Sequence, residues 1–115
     1  MRNTRTRRSL NTEFLFCRDF VSLSNGAKIF YIYLNQIADD DGFSECNKLP
    51  IINDTDILLS ELLEKKLIYK IKEDVYLLKH WNLNNCKRVD RYNKSVYSIC
   101  LENYSIDKDG CYCLI

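Results

Sequence analysis

The sequence contains few of the residues that interrupt regular structure, with one proline and three glycines among 115 residues. This composition disfavours a loop-rich all-β protein and a disordered chain. All of its apolar runs are shorter than the roughly 20 residues that a membrane-spanning helix needs. The positive N-terminus is not followed by an apolar signal region, so we expect no export and no membrane partner. We therefore expect one domain, or one domain with a tail.

The sequence also lacks the patterns that are typical of enzymes. His80 is its single histidine, and we find no nucleophile–base pair and no glycine-rich phosphate-binding loop. Cys111-x-Cys113, together with Cys100 or His80, is a weak zinc pattern because a second closely spaced pair of ligands is absent. We therefore predict that the chain is not an enzyme and that it uses no metal and no cofactor.

The near-neutral net charge of +1 conceals three charged blocks. Residues 1–25 have five basic and two acidic side chains, residues 39–64 have one basic and eight acidic, and residues 65–94 have nine basic and three acidic. Two positive blocks therefore flank a negative block. Such an asymmetry bears on the choice of partner rather than on the fold.

Apolar spacing and turn signals predict the order helix, short strand, short helix, helix and β-hairpin. The predicted elements are a helix at 24–38 capped by Ser24, a short strand at 43–44, a helical turn at 45–52, a helix at 54–66, strands at 67–72 and 75–80, and a helix at 88–101. We therefore predict a mainly α (α+β) fold, a winged helix-turn-helix with a short β-hairpin wing and an additional C-terminal helix. The predicted division is a flexible basic arm (1–10), the winged-helix domain (11–104) and a C-terminal tail (105–115).

The run Asp39-Asp40-Asp41-Gly42 is predicted to form the turn that ends the first long helix. Its spacing does not match a calcium loop, which needs spaced acids and a distal glutamate. Negative charge is unfavourable at the C-terminal end of a helix. We therefore expect a neighbouring arginine or lysine to compensate it.

The segment at 79–94 is the most informative stretch, with five basic residues, four amides, a histidine and two aromatics. Cations suit phosphates, and amides suit base edges or backbone. We predict that this basic segment binds DNA with help from the basic arm. The predicted DNA contacts are Arg5, Arg7, Arg8, Lys79, His80, Asn84, Asn85, Lys87, Arg88, Arg91 and Lys94.

The predicted helix at 54–66, which would read bases in a winged helix, has an acidic outer face. Asp56, Glu61 and Glu64 would repel phosphates, so base reading by this helix is disfavoured. A solvated helix that packs its leucines inward explains the face simply. Alternatively, these three carboxylates form an oligomer interface against a basic face of another subunit.

Four motifs occur in one order: Tyr31-x-Tyr33-Leu34, then Ala38-Asp39-Asp40-Asp41-Gly42-Phe43, then Leu78-Lys79-His80-Trp81-x-x-Asn84-Asn85, then Asp90-Arg91-Tyr92 with Tyr97. Together they resemble the N-terminal domain of phage replisome organisers, which are DnaD-type replication initiation proteins. The resemblance covers about residues 9–104. It implies a winged-helix domain that binds origin DNA, expected to be duplex, in the cytoplasm of a bacterial host. It also implies helicase-loading partners, contacted through a second domain that these 115 residues do not include.

Two other functions stay open. One is a protein–protein oligomerisation module of the initiation complex with weak DNA contact, which the acidic helix favours. The other is a winged-helix transcriptional regulator, which would need a sequence-specific half-site. The two basic blocks favour DNA binding over the first of these functions, and the acidic helix disfavours the sequence-specific reading that the second would need.

Overall fold

The structure is a computed structural model that describes residues 8–49, 54–85 and 92–115. Its helices and strands are α1 (Thr12–Leu15), α2 (Arg18–Val21), α3 (Asn25–Ile37), β1 (Phe43–Glu45), α4 (Thr55–Glu64), β2 (Ile68–Lys72), β3 (Val75–Leu78), α5 (Trp81–Asn84), β4 (Tyr104–Ile106) and β5 (Tyr112–Leu114). Two 3₁₀ helices, Cys46–Lys48 and Ser98–Asn103, precede α4 and β4. In this part of the chain no helix is long and apolar enough to cross a membrane.

The longest helix, α3, confirms the prediction for residues 24–38. Ser24 is its N-cap, with its hydroxyl accepting a hydrogen bond from the Ala27 N–H at 3.2 Å. This bond satisfies one of the amide groups that the first turn leaves unpaired. Phe30 and Leu34 belong to its buried face, so the helical spacing of apolar residues identified the face correctly.

The predicted β-hairpin is also present, but it lies in the middle of the domain. β3 pairs with β2 on one side and with β1 on the other, giving a three-stranded antiparallel sheet of order β1-β3-β2. β3 is the central strand, and all four of its residues are buried.

The prediction of a mainly α winged helix-turn-helix is therefore wrong, and the described residues form an α+β domain with two antiparallel sheets. Between β1 and α4 they contain one three-residue 3₁₀ helix, Cys46–Lys48, rather than the first helix of a helix-turn-helix pair. Part of the helical turn predicted there, at residues 50–53, lies outside the described residues.

The additional C-terminal helix predicted at 88–101 is wrong where the structure describes it. Residues 92–97 are not helical, and Ser98–Asn103 is a 3₁₀ helix. Val96 and Ile99, which suggested a buried helical face, are 87% and 71% exposed. Apolar spacing predicts a helix only when that face packs against a core, and here it does not.

A second small sheet occupies the C-terminal region that was predicted to be a tail. β4 pairs with β5, and Tyr112 of β5 is 2% exposed. Its N–H donates to the Lys79 carbonyl at 2.8 Å, and its own carbonyl accepts a bond from the Tyr69 hydroxyl at 2.8 Å. The hairpin is thereby attached to both the end of β3 and the outer strand β2.

Candidate nucleic-acid interface

Three consecutive aspartates, called the acidic loop below (residues 39–41), connect α3 to β1. The carboxylate of Asp39 accepts bonds from the backbone N–H groups of Asp41 and Phe43, both at 3.0 Å. Burial raises the pKa of Asp39, and these hydrogen bonds partly oppose the rise. The loop is therefore closed by its own first side chain.

Trp81, the first residue of α5, packs directly on this loop. Gly42 has φ +94°, and a Cβ there would lie 2.5 Å from Cγ of Trp81. The indole N–H donates to the Asp40 carbonyl at 3.1 Å. The close approach of ring and backbone thus needs a glycine at position 42.

Arg8 is the compensating cation that the sequence analysis expected. Its guanidinium donates to the Asp40 carboxylate at 3.1 Å and to the Ala38 carbonyl at 2.8 Å. The guanidinium carbon also lies 5.2 Å from the centre of the Trp81 ring. The side chain is only 15% exposed, so Arg8 fastens the end of the basic arm to the acidic loop.

Asn84 and Asn85, at the end of α5, hold the residues that follow Arg8. The Asn84 side-chain carbonyl accepts a bond from the Asn11 N–H at 2.8 Å, and that of Asn85 accepts one from the Ser9 N–H at 2.7 Å. The Asn85 amide also donates to Asn35 of α3 at 3.1 Å. Asn84 and Asn85 are both buried. Each therefore provides a backbone N–H group of residues 9–11 with the acceptor that water would otherwise supply.

Residues 92–95, which lie about 50 positions after the acidic loop, also form hydrogen bonds with it. The Tyr92 hydroxyl donates to the Asp41 carboxylate at 2.8 and 2.9 Å, and the Ser95 N–H donates to it at 2.9 Å. The Asn93 N–H donates to Asp40 at 2.8 Å, and the Ser95 hydroxyl donates to the first aspartate of the loop. Burial, and then the bond to Asp41, raises the pKa of Tyr92 to about 12.

The acidic loop, residues 8–11, Asn84, Asn85 and residues 92–95 form one connected polar cluster, which we call the junction. It brings together three of the predicted DNA-contact residues, Arg8, Asn84 and Asn85, and a fourth, Lys94, is exposed within its segment 92–95. The predicted contacts at Arg5, Arg7, Lys87, Arg88 and Arg91 lie outside the described residues.

Two predicted contacts, Lys79 and His80, are placed elsewhere. Lys79 pairs through its backbone with Leu67 and Tyr112. The His80 ring lies 4.9 Å from the ring of Phe14. Burial, and then the nearby Lys79, lowers the pKa of His80, so its ring is part of the packed domain.

The three carboxylates predicted as an oligomer interface differ in their surroundings. Glu61 accepts bonds from the Ser24 N–H at 2.6 Å and from the Ser24 hydroxyl at 2.7 Å, and the backbone bond is the main cause of its lowered pKa. Asp56 and Glu64 are exposed. Glu61 therefore caps α3 within the same chain.

Sequence reasoning missed two buried residues, Ser95 in the junction and Asn35, which bonds to Ser9 and Asn85 of the junction. Asn35 was visible as a polar residue inside an otherwise apolar helical face, next to Leu34. A polar side chain at such a position needs a partner, and this was the available signal. Ser95 lies in a stretch without regular structure, and we find no comparable signal for it.

Comparisons of the chain with protein-family models, curated proteins and solved structures found no match. Within residues 8–49, 54–85 and 92–115, no group of three or more His, Cys, Asp or Glu side chains is arranged to hold a metal ion.

Proposed function

We propose that this chain binds DNA without catalysis, as a DNA-binding component of a replication initiation complex of the replisome organiser type. The observation that best supports the proposal is the hydrogen bond from the Ser9 N–H to the Asn85 side chain, which spans 76 positions. This bond joins the end of the basic arm to the start of the run at 86–94. The last residues of one positive sequence and the residue before the other are therefore in contact, although they are distant in the chain.

The sequence on both sides of this bond is rich in positive charge. Positions 1–9 and 86–94 contain one acidic residue, Asp90, and, besides Arg8, seven basic residues: Arg2, Arg5, Arg7, Lys87, Arg88, Arg91 and Lys94. Many cations in such a sequence favour binding of a polyanion by release of counterions, which makes the affinity depend on salt. We leave Arg8, Asn84 and Asn85 out of the proposed contacts because their side chains are already engaged within the protein.

The resemblance to replisome organisers adds support from the positions of its motifs. Gly42 packs under Trp81, Tyr92 binds Asp41, and Asn85 holds the arm. Some of the residues that suggested the family thus lie in the junction or pack against it. The family implies action in the cytoplasm of a bacterial host, alongside helicase-loading proteins, and we include both in the proposal.

The test is DNA binding measured over a range of salt concentrations, with labelled duplex and single-stranded oligonucleotides. We expect the triple variant Lys87→Gln/Arg91→Gln/Lys94→Gln to bind at least tenfold more weakly. The slope of log affinity against log salt should fall by about two to three, since each lost phosphate contact removes roughly 0.7–0.9.

The matched control is Lys66→Gln/Lys70→Gln/Lys108→Gln, which removes the same charge from three exposed lysines outside the junction. We expect it to change the slope by much less. Equal losses in the two variants would mean that net charge alone drives binding, and the proposed site would be rejected.

Self-association is the second candidate function, supported by the outer face of α3. Ile29, Ile32, Tyr33 and Ile37 are exposed there, and Lys28 is the one charged residue of this helix. A second copy of the chain could pack on this face with little repulsion between like charges. Because Glu61 already caps α3, the acidic face of α4 is the weaker candidate for assembly.

Sedimentation of the protein over a wide concentration range tests this alternative. A concentration-dependent mass that Ile29→Glu abolishes would support assembly through α3, and a constant monomer mass would reject it. The third function considered from the sequence, a winged-helix regulator, is withdrawn together with the winged-helix fold.

A further inference from the structure

We propose that the open edge of β4 binds a second copy of this chain, so that two C-terminal hairpins pair edge to edge into one four-stranded antiparallel sheet. This inference goes beyond the proposed function and does not depend on DNA binding. Within residues 8–49, 54–85 and 92–115, β4 has β5 on one side and no strand on the other. A strand edge of this kind presents backbone groups that can pair with another strand.

The pairing of β4 with β5 shows which backbone groups lie at the open edge. The N–H groups of Asp107 and Ile115 donate across the hairpin, both at 2.9 Å. Because backbone groups alternate in direction along a strand, Tyr104 and Ile106 face the open side. The Tyr104 N–H is turned back to the Leu101 carbonyl. The Ile106 N–H and the carbonyls of Tyr104 and Ile106 are therefore directed toward a partner strand.

A two-fold axis through Ser105 lets two copies of this edge match each other. Tyr104 of each copy then lies opposite Ile106 of the other, and each Ile106 N–H can donate to the facing Tyr104 carbonyl. A shift of one residue would set outward groups of one strand against inward groups of the other, and a shift of two would leave one such pair within β4. The edge is thus self-complementary in one register, as a two-fold interface requires.

The side chains of β4 suit the same register. Tyr104 is half-buried and Ile106 is 54% exposed. Their side chains lie on one face of the hairpin, and an aromatic residue opposite a β-branched residue stabilises an antiparallel pair of strands. The exposed Ser105 meets its own counterpart on the other face. Pairing would therefore cover an exposed isoleucine twice, once in each copy.

The charges beside β4 favour a second copy over a strand of another protein. Glu102 and Lys108 are exposed and lie three residues before and three residues after Ser105. The two-fold axis therefore brings Glu102 of each copy toward Lys108 of the other. No two like charges between positions 101 and 109 face each other in this register. Opposite charges placed in this way select the partner and the register.

The contact is small because β4 has only three residues. Stable complexes bury about 1,200–2,000 Å² of surface in total, and smaller contacts belong to weak, transient associations. We therefore expect a reversible dimer that forms at high protein concentration.

The test is sedimentation equilibrium over a wide range of protein concentrations, with variants that exchange the charges. Glu102→Lys and Lys108→Glu each set two pairs of like charges opposite each other, so each variant alone should self-associate about tenfold more weakly than the unaltered protein. An equimolar mixture of the two should recover the association, because unlike copies restore both charge pairs. A mixture that associates no better than either variant alone would overturn the inference, and so would a constant monomer mass for the unaltered protein.

Two glutamate variants separate this edge from the outer face of α3. Ile106 and Ile29 are matched in exposure, at 54% and 55%. Ile106→Glu should weaken self-association about tenfold, while Ile29→Glu should change it less than twofold. Both side chains are exposed, so unchanged melting temperatures will show that the variants are folded. The reverse result would assign the assembly to α3 and reject the β4 edge.

Ile106→Pro tests the backbone contribution directly. It removes the N–H that faces the open side, and proline is tolerated at an edge position whose N–H does not pair within the sheet. We expect the hairpin to form and self-association to be lost. Self-association that survives this substitution would exclude pairing through the backbone of β4.

Discussion

The acidic loop and the outer face of α4 belong to the same negative block of the sequence, but their carboxylates have opposite surroundings. Asp41 is completely buried and accepts bonds from Tyr92 and Ser95. Asp56 and Glu64 of α4 are exposed to solvent. The two regions have similar negative charge in the sequence. In the structure, only the acidic loop is seen to bind both Arg8 and residues 92–95.

The difference shows how negative charge can be compatible with a proposed DNA-binding protein. Buried carboxylates need several donors to offset their lost hydration. In the acidic loop several of those donors come from Arg8 and from residues 92–95, so satisfying the charges also determines where these two segments are attached. Exposed carboxylates have no such requirement and leave their neighbours unconstrained.

The difference between the two regions can be tested by removing one carboxylate from each. We expect Asp41→Ala to lower the free energy of unfolding by about 2–4 kcal/mol, because the Ser95 N–H and the Tyr92 hydroxyl lose their carboxylate acceptor. Asp56→Ala should change it by less than about 0.5 kcal/mol. Urea denaturation of both variants measures the difference, and similar losses would contradict the distinction.

The next largest effect concerns the backbone of the loop. Gly42→Ala should destabilise the protein by about 2–3 kcal/mol, since the new methyl group meets Trp81 and φ is positive. The control is Gly26→Ala in α3, where the nearest side-chain atom, of Leu58, is 3.3 Å away. Alanine suits a helix better than glycine, so thermal melting should show little change or a small gain for Gly26→Ala.

A smaller effect is expected on α4 itself, where Glu61 differs from its neighbours by capping α3. Glu61→Ala should cost about 0.5–1 kcal/mol, reduced from a buried value by solvent screening of this partly exposed group. Glu64→Ala on the same helix should be close to neutral. Denaturant midpoints distinguish the two variants. Equal midpoints would show that the bonds from Ser24 to Glu61 do not stabilise the protein.

The smallest effect is a dependence on pH that arises outside the acidic regions. Burial lowers the pKa of His80 below its ordinary value of 6.5, so the unfolded chain takes up a proton more readily than the folded one. Stability from this group is complete above about pH 6.5 and is lost as the pH falls below that value and through the lower pKa of the folded state. Melting temperatures of the unaltered protein and His80→Gln, compared between pH 7.5 and 5.5, should converge or cross at the acidic end. Parallel curves would show that His80 does not contribute.

Local patterns in the sequence were sufficient to predict the central elements. Ser24 followed by apolar residues at helical spacing gave α3, the leucines of α4 gave its buried face, and Glu73-Asp74 marked the turn between β2 and β3. Each of these signals lies within a few residues of the structure it produces. A cap, a helical stripe and a tight turn are all local effects.

The features that the sequence did not predict depend on contacts between residues that are distant in the chain. Asn84 and Asn85 look like polar surface residues in the sequence, but they are buried because the backbone of residues 9–11 needs acceptors. β4 and β5 have three residues each, which is too short for an alternating pattern to identify them. The prediction of the overall fold was wrong for the same reason, since it lacked the second sheet, which forms by the pairing of β4 with β5.

The long separations within the junction also have a consequence for how the chain folds during synthesis. The Asn11 N–H binds a residue 73 positions later, and the Tyr112 hydroxyl reaches back 71 positions to the Asp41 carbonyl. At about 5–20 residues per second, the N-terminal segment waits several seconds for these partners to be translated. Until then Phe14 and Trp81 cannot be fully enclosed, and the large loops that must close slow the final step. The nascent chain therefore exposes aromatic surface for an interval in which chaperone binding or aggregation competes with folding.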